Sequence, residues 1–476
     1  LWWMRSLLLG LLAVAAAVDH SSDSESTQSI VVLIVSNGET RYDERRAEET
    51  KRHVEEDMKE EDAVVLISHR DFGGGSWGHH AVWPLIPRIT ARFPSLRWLV
   101  VMETESRMNG LRLRRRLRQG EKEGEEKEIF IGRTLVDEQP VIIHHFYGFD
   151  NQHGDVFQYP DFAAGVLLSG RLVRRLGEGL ERKKGVQFTI DGKHEFARLV
   201  EELTAVTLTS EMDHFCHSPG GSNCLIWFEQ QTGTRQGCRE RRPLDHSSLL
   251  VGVKTYSGFH RTRVVVTKRT WGKNVRNILY YSDVEDPYIP STRVHIPNTQ
   301  RGHCKKTMEI LKDALHREEM SSRWIFIADD DTLVGLSRLE RWLRCYDEDE
   351  KVIIGERYGY GYDVSGEGGY DYPTGGAGMV FSLPAARLLV QQCECPSIDS
   401  PDDMILGMCA RHLSIPIVHS PAMHQARPMD YARSLISRLL PISFHKHEGI
   451  DPYEVYTRYL KEAEDESRWD TAREEL

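Results

Sequence analysis

Short apolar runs alternate with helix-length charged stretches along most of this chain. Residues 30–35 (Ile-Val-Val-Leu-Ile-Val) read as a buried strand, residues 41–61 as a charged helix and residues 63–68 as a second strand. The same alternation recurs later. An apolar run over 249–254 is followed by a polar stretch, a helix reaching Trp271 and a strand over 278–282. This pattern predicts an α/β fold with a largely parallel sheet. The dense charge run over 112–128 reads as an exposed helix and loop rather than a binding surface.

The two stretches are also alike in detail. Trp98-Leu99-Val100-Val101-Met102 running into Glu103-Thr104-Glu105 parallels Trp324-Ile325-Phe326-Ile327-Ala328 running into Asp329-Asp330-Asp331. Val141-Ile142-Ile143 with Tyr147-Gly148 parallels Val352-Ile353-Ile354 with Tyr358-Gly359. Tyr159-Pro160, Ala164-Gly165 and Ser169 parallel Tyr372-Pro373, Ala377-Gly378 and Ser382. Ile190-Asp191 with Glu195 parallels Ile398-Asp399 with Asp403. The matches are colinear, so a tandem pair of similar domains is expected, over 30–209 and 249–472, joined by a connection over 210–248. The period is far too long for a solenoid. The first copy carries Phe162-Ala163 where the second has Gly375-Gly376, and that bulk blocks close approach of a ligand to the backbone. The first copy is therefore expected to be degenerate.

Composition and the two ends of the chain change the picture at four points. The net charge of −11, from 61 basic against 72 acidic residues, argues against a nucleic-acid partner. Residues 1–20 hold Arg5, an apolar run over 7–18 and small residues at its end, which suits a cleaved signal peptide, with an uncleaved single-pass type II anchor as the alternative. The final residues 473–476, Arg-Glu-Glu-Leu, resemble retrieval signals read by a receptor of the endoplasmic reticulum. Together the ends predict a soluble resident of the endoplasmic reticulum lumen. Eight cysteines fit that oxidising compartment as disulfides, with the pairing open.

Chemistry is concentrated in the second copy. Adjacent carboxylates repel, so Asp329, Asp330 and Asp331 at a strand end call for a cation or a set of donors. Side chains alternate on a strand, so Asp329 and Asp331 point one way and Asp330 the other. Two oxygen ligands on one side suit a hard divalent cation carrying phosphates. The alternative is a solvated acidic turn with Asp331 as N-cap. Gly375 and Gly376 lie in a loop that lets a ligand rest on the backbone, or form a plain hairpin. Asp402 and Asp403 follow Pro401 at a helix start, either as dipole caps or with one of them as general base. His424, His445 and His447 are candidates to complete a metal site.

Taken in order, these features resemble the β-1,3-glycosyltransferases of the fringe type. The residues carrying the resemblance are Val253-Lys254-Thr255, Phe259-His260, Arg263, Trp271 and Asp329-Asp330-Asp331. They continue with Gly375-Gly376-Ala377-Gly378, Pro401-Asp402-Asp403 and Phe444-His445-Lys446-His447. The resemblance implies two tandem GT-A-like, Rossmann-like domains. Within the family the chain is similar to enzymes that add glucose to O-linked fucose on thrombospondin type 1 repeats. It implies inverting transfer from UDP-glucose to the fucose 3-hydroxyl, with O-fucosylated repeat proteins as partners. Asp331, helped by Asp329, would hold Mn²⁺, and Asp403 would be the base. Lys254, Thr255, Arg263, Asp283 and Asp330, with Gly375 and Gly376, would bind the nucleotide. The family's Phe-His-Ser-His aligns with Met423-His424-Gln425-Ala426, so the metal histidine is His424 or His447. The alternatives are a β-1,3-N-acetylglucosaminyl- or galactosyltransferase, and a non-catalytic lumenal binding protein.

Overall fold

The computed structural model describes residues 28–72, 81–120, 125–137, 157–219, 221–229, 248–317 and 322–462. The signal-like start, the 141–148 arm of the repeat, Cys238 and the retrieval-like end lie outside them.

Two parallel-rich sheets organise the chain. The first runs Thr209–Ser210, Phe130–Gly132, Val166–Ser169, Trp98–Glu103, Ile30–Val35, Ala63–Ile67. The second runs Ile417–His419, Ile353–Gly355, Met379–Ser382, Trp324–Asp329, Leu249–Lys254, Ile278–Ser282, Ser291–Arg293. Strand for strand the order is the same, with Ser291–Arg293 as one extra edge strand. The directions agree too. Val166–Ser169 and Met379–Ser382 each run antiparallel to both neighbours, while the remaining pairs are parallel. The central strands are apolar and buried up to the charged residue that ends three of the four, as a sheet packed on both faces requires.

The likeness extends to local devices. Ser169 and Ser382 each end a strand and cap the next helix, accepting from Leu172 N–H and Ala385 N–H at 3.4 Å. After the acidic turns, Ser106 Oγ accepts from Glu103 N–H and Thr332 Oγ1 from Asp329 N–H. The same hydroxyls donate to Ala163 O and Gly376 O, tying each turn to the loop beside it.

Residues 210–229, expected as connection, instead carry strands. Thr209–Ser210 joins the first sheet, and Ile226–Phe228 pairs antiparallel with Ser106–Met108. Phe215, Ile226 and Phe228 are buried, so apolar contact holds the segment against the first half. Disulfides join Cys216 to Cys224, Cys304 to Cys395 and Cys393 to Cys409, and Cys345 is also disulfide-bonded.

The halves share one apolar core that contains Tyr42 and Phe228 as well as Phe326 and Phe444. Tyr42 meets Tyr346 edge-on at 5.2 Å. Val186–Thr189 from the first half pairs with Arg357–Asp363, which pairs in turn with Tyr370–Pro373. Arg438, in the helix Arg433–Arg438, donates to Asp161 Oδ1 at 2.8 Å, and both side chains are buried.

Candidate active site

The strand Trp324–Asp329 is apolar until its last residue and delivers three carboxylates at the carboxyl end of the second sheet. Asp329 and Asp331 turn to one side, where His445 lies. Its Nε2 is 3.1 Å from Asp331 Oδ1 and 3.7 Å from Asp329 Oδ2. Asp330 turns the other way, accepting from Thr255 Oγ1 at 2.7 Å and from Arg263 at 3.3 Å. Arg263 also reaches Asp331 at 2.9 Å and lies over the Phe259 ring. Three like charges are thus gathered in by Lys254, Arg263 and His445 together.

Asp329, Asp331 and His445 present ligand atoms within 4.8 Å of one another. Two carboxylate oxygens with one imidazole nitrogen suit a divalent metal ion. His445 Nδ1 lies 3.1 Å from the Gln425 carbonyl, which only accepts, so Nδ1 carries a proton. In the neutral ring Nε2 then turns its lone pair toward the carboxylates, the arrangement a metal ligand needs. A side chain on Gly376 would sit 2.1 Å from the His445 ring, so the glycine is what lets the histidine reach in.

The other two histidines differ in position. His424 is buried in the core, stacked on Phe444 at 4.9 Å and against Tyr431 at 4.6 Å. It is not among the groups gathered at the carboxylates. His447 is close enough to feel the Asp331 charge, yet burial, then Arg263 and His445, push it down to about 4. Its Nε2 is buried with no hydrogen-bond partner among the described residues. The ring that meets both carboxylates is therefore His445, which strand pairing of Ser443–His445 with Thr332–Val334 sets beside the acidic turn.

Across this cluster the two carboxylates of the helix Asp402–His412 part company. Asp402 accepts from Lys254 Nζ and from Thr307 Oγ1, each at 2.6 Å. Burial works against its charge, but Lys254 and Thr307 hold it down at about 2. Burial, and then the Asp402 charge, push Asp403 up to about 7. One carboxylate is locked as an anion and the other is poised near neutrality. Lys254 also reaches Asp329 at 3.0 Å and so links the acid cluster to the helix start.

Around them, Asp283 accepts from Ser257 N–H at 2.7 Å and holds the loop after Leu249–Lys254. A side chain on Gly375 would point toward Asp402 and Lys254 and meet both at ordinary contact distance. Lys306, which the sequence reading did not single out, donates to Thr255 O, and burial and then Lys254 push it down to about 8. Its signal was faint, since it is one lysine among several on an amphipathic helix.

The equivalent end of the first sheet is differently furnished. Glu103 is engaged by Lys193 at 3.6 Å, and Glu195 by Arg198 at 2.9 Å. Phe162 and Ala163 are buried where the second half has its glycines.

A family model described as Fringe-like matches residues 244–467. The chain is 40% identical to a human β-1,3-glucosyltransferase, covering 100% of this chain and 99% of that protein. It is 38% identical to the mouse β-1,3-glucosyltransferase, covering 92% of this chain and 87% of that protein. A manic fringe β-1,3-N-acetylglucosaminyltransferase of Danio rerio is 25% identical over 209 residues, spanning 39% of this chain and 58% of its own length. The class that fold, acid cluster and matches define is a fringe-like glycosyltransferase. More narrowly, the chain belongs to the β-1,3-glucosyltransferase family. The full-length matches take in the first half as well as the second.

Proposed function

We propose that this enzyme transfers glucose, with inversion, from UDP-glucose to the 3-hydroxyl of O-linked fucose on thrombospondin type 1 repeats. The observation that carries the reading is the division of labour between Asp402 and Asp403, set across a glycine loop from the acid cluster. A base works best with a pKa near the working pH, and Asp403 is pushed up to about 7. Asp403 takes the proton from the acceptor hydroxyl as its oxygen bonds to the anomeric carbon, and the nucleotide leaves with the bonding pair of the old bond. Such a base contributes roughly 10²–10⁴-fold. Lys254, Arg263 and Lys306 are the cations beside the acid cluster that would bind the diphosphate, with Thr255 next to them.

Asp329, Asp331 and His445 would hold Mn²⁺, with His447 near enough to assist. The ion would supply Lewis-acid stabilisation of charge on the departing nucleotide. Full-length similarity to glucosyltransferases supports glucose over the sugars used by the relatives that match only part of the chain. The acceptor follows from the family resemblance. Residues 30–209 form the degenerate domain and 249–472 the catalytic one in this reading. Three disulfides among the described residues fit the endoplasmic reticulum lumen. No helix among those residues is long and apolar enough to cross a membrane.

The test is transfer from UDP-glucose, UDP-N-acetylglucosamine and UDP-galactose to an O-fucosylated repeat, with Mn²⁺ and with chelator. Glucose transfer that requires the metal is the expected result. Preference for another donor, or no transfer to fucose, overturns the reading.

A further inference from the structure

The hairpin beside Asp403 carries a row of tyrosines that the chemistry so far does not use. Register pairs Tyr358 with Tyr372 and Tyr360 with Tyr370 across the antiparallel strands. Residues directly opposite share a face, so all four rings lie on one side of the hairpin. They touch in sequence: Tyr358 and Tyr372 at 6.0 Å, Tyr372 and Tyr370 at 6.4 Å, Tyr370 and Tyr360 at 5.7 Å. Exposure rises along the row, from 6% at Tyr358 to 37% at Tyr360.

The row is fixed to the helix that bears the base. Gly407 packs so closely on Asp371 O and the Tyr372 Cβ that no side chain fits between them. One turn further, Arg411 donates to Gly368 O and Gly369 O at the hairpin tip. Asp403, Gly407 and Arg411 recur every four residues and so form one stripe facing the hairpin. Burial, and then the Asp403 charge, raise the Tyr372 phenol, which places that ring in the field of the base. Val186–Thr189 from the first half supports the hairpin as a third strand.

We infer that Tyr370, Tyr372 and Tyr360 form the acceptor platform, with the acceptor sugar laid on Tyr372 and Tyr370 and its protein on Tyr360. This deepens the proposed function and rests on it. The acceptor hydroxyl has to meet Asp403. Lys254 and Asp329 bear on that carboxylate from the acid cluster, where the donor would sit, which leaves the hairpin side for the acceptor. A 6-deoxy sugar has an apolar methyl and a C–H face, and a tyrosine ring offers a rigid surface that is apolar on its face and polar at its tip. The backbone contribution of Val186–Thr189 gives the first half a direct part in holding that surface.

The test compares KM for an O-fucosylated repeat and for UDP-glucose in Tyr370→Ala, Tyr370→Phe and Tyr360→Ala. Wild-type transfer is read first, and its absence counts against the proposed function rather than the platform. Given transfer, Tyr370→Ala raises acceptor KM about tenfold, as expected for an aromatic anchor. Tyr370→Phe stays near wild type because the ring face is kept. Tyr360→Ala, at the exposed end of the row, raises acceptor KM severalfold and removes the least buried ring of the four. In each case the KM for UDP-glucose is the reference that a general loss of structure would also move. Unchanged acceptor KM in both alanine variants, or donor KM rising in parallel, overturns the platform.

Discussion

Lys254 Nζ lies 2.6 Å from Asp402 Oδ2, and the two residues are 148 positions apart in the chain. That one ion pair, reinforced by Thr307, makes neighbours in sequence into opposites in charge. Asp402 is fixed as an anion at about 2, and its charge helps push Asp403 up to about 7. The same ammonium reaches Asp329, so Asp403 and the acid cluster both lie under the influence of one side chain.

The rate should therefore carry an acid limb near pH 7. Below that pH Asp403 is protonated and takes no proton from the acceptor. Asp402→Asn removes a negative neighbour and leaves the Lys254 charge facing Asp403, and both changes lower the Asp403 pKa. The acid limb of kcat/KM is expected to move to lower pH in that variant. A pH–rate profile checks it, and a limb that stays put or moves up contradicts the assignment.

Two adjacent glycines should respond differently to the same change. A Cβ on Gly376 would lie 2.1 Å from the His445 ring, whereas one on Gly375 meets its nearest neighbours at 3.8 and 3.9 Å. Gly376→Ala is expected to weaken Mn²⁺ binding about 10–100-fold by displacing His445, in the range seen when a ligand's support is lost. Gly375→Ala should leave it nearly unchanged. Titration of Mn²⁺ followed by paramagnetic resonance distinguishes them.

The buried pair between Arg438 and Asp161 links the halves. Removing one partner strands a charge, at a cost of roughly 3–5 kcal/mol. Arg438→Met should thus lower the melting temperature, and adding Asp161→Leu should recover part of the loss. Two single losses that simply add would mean the residues do not act as a pair.

Much of this was legible in the chain itself. The alternation of apolar and charged runs gave the sheets, and the paired sequences around Trp98 and Trp324 anticipated strand orders that agree. The triple Asp stood out because adjacent carboxylates are costly without a reason, and the Asp402–Asp403 pair because it follows Pro401 at a helix start. What local pattern did not reveal depends on long-range register. His445 reaches Asp331 only because Ser443–His445 pairs with Thr332–Val334, a relation no local spacing encodes. His424 read as a ligand by position, but its neighbours Tyr431 and Phe444 take it into the core. The segment after residue 209 read as connection because glycine, serine and proline outweighed the short apolar triplet Ile226–Phe228.

The most direct measurement is turnover and UDP affinity of Asp403→Asn beside wild type, with UDP-glucose, an O-fucosylated repeat and Mn²⁺. A carboxamide keeps the size and loses the proton-accepting charge, so kcat should fall by about 10²–10⁴-fold. UDP affinity should stay within about twofold, since Lys254, Arg263 and the acid cluster are untouched. An Asp403→Asn enzyme that turns over at the wild-type rate would contradict the account.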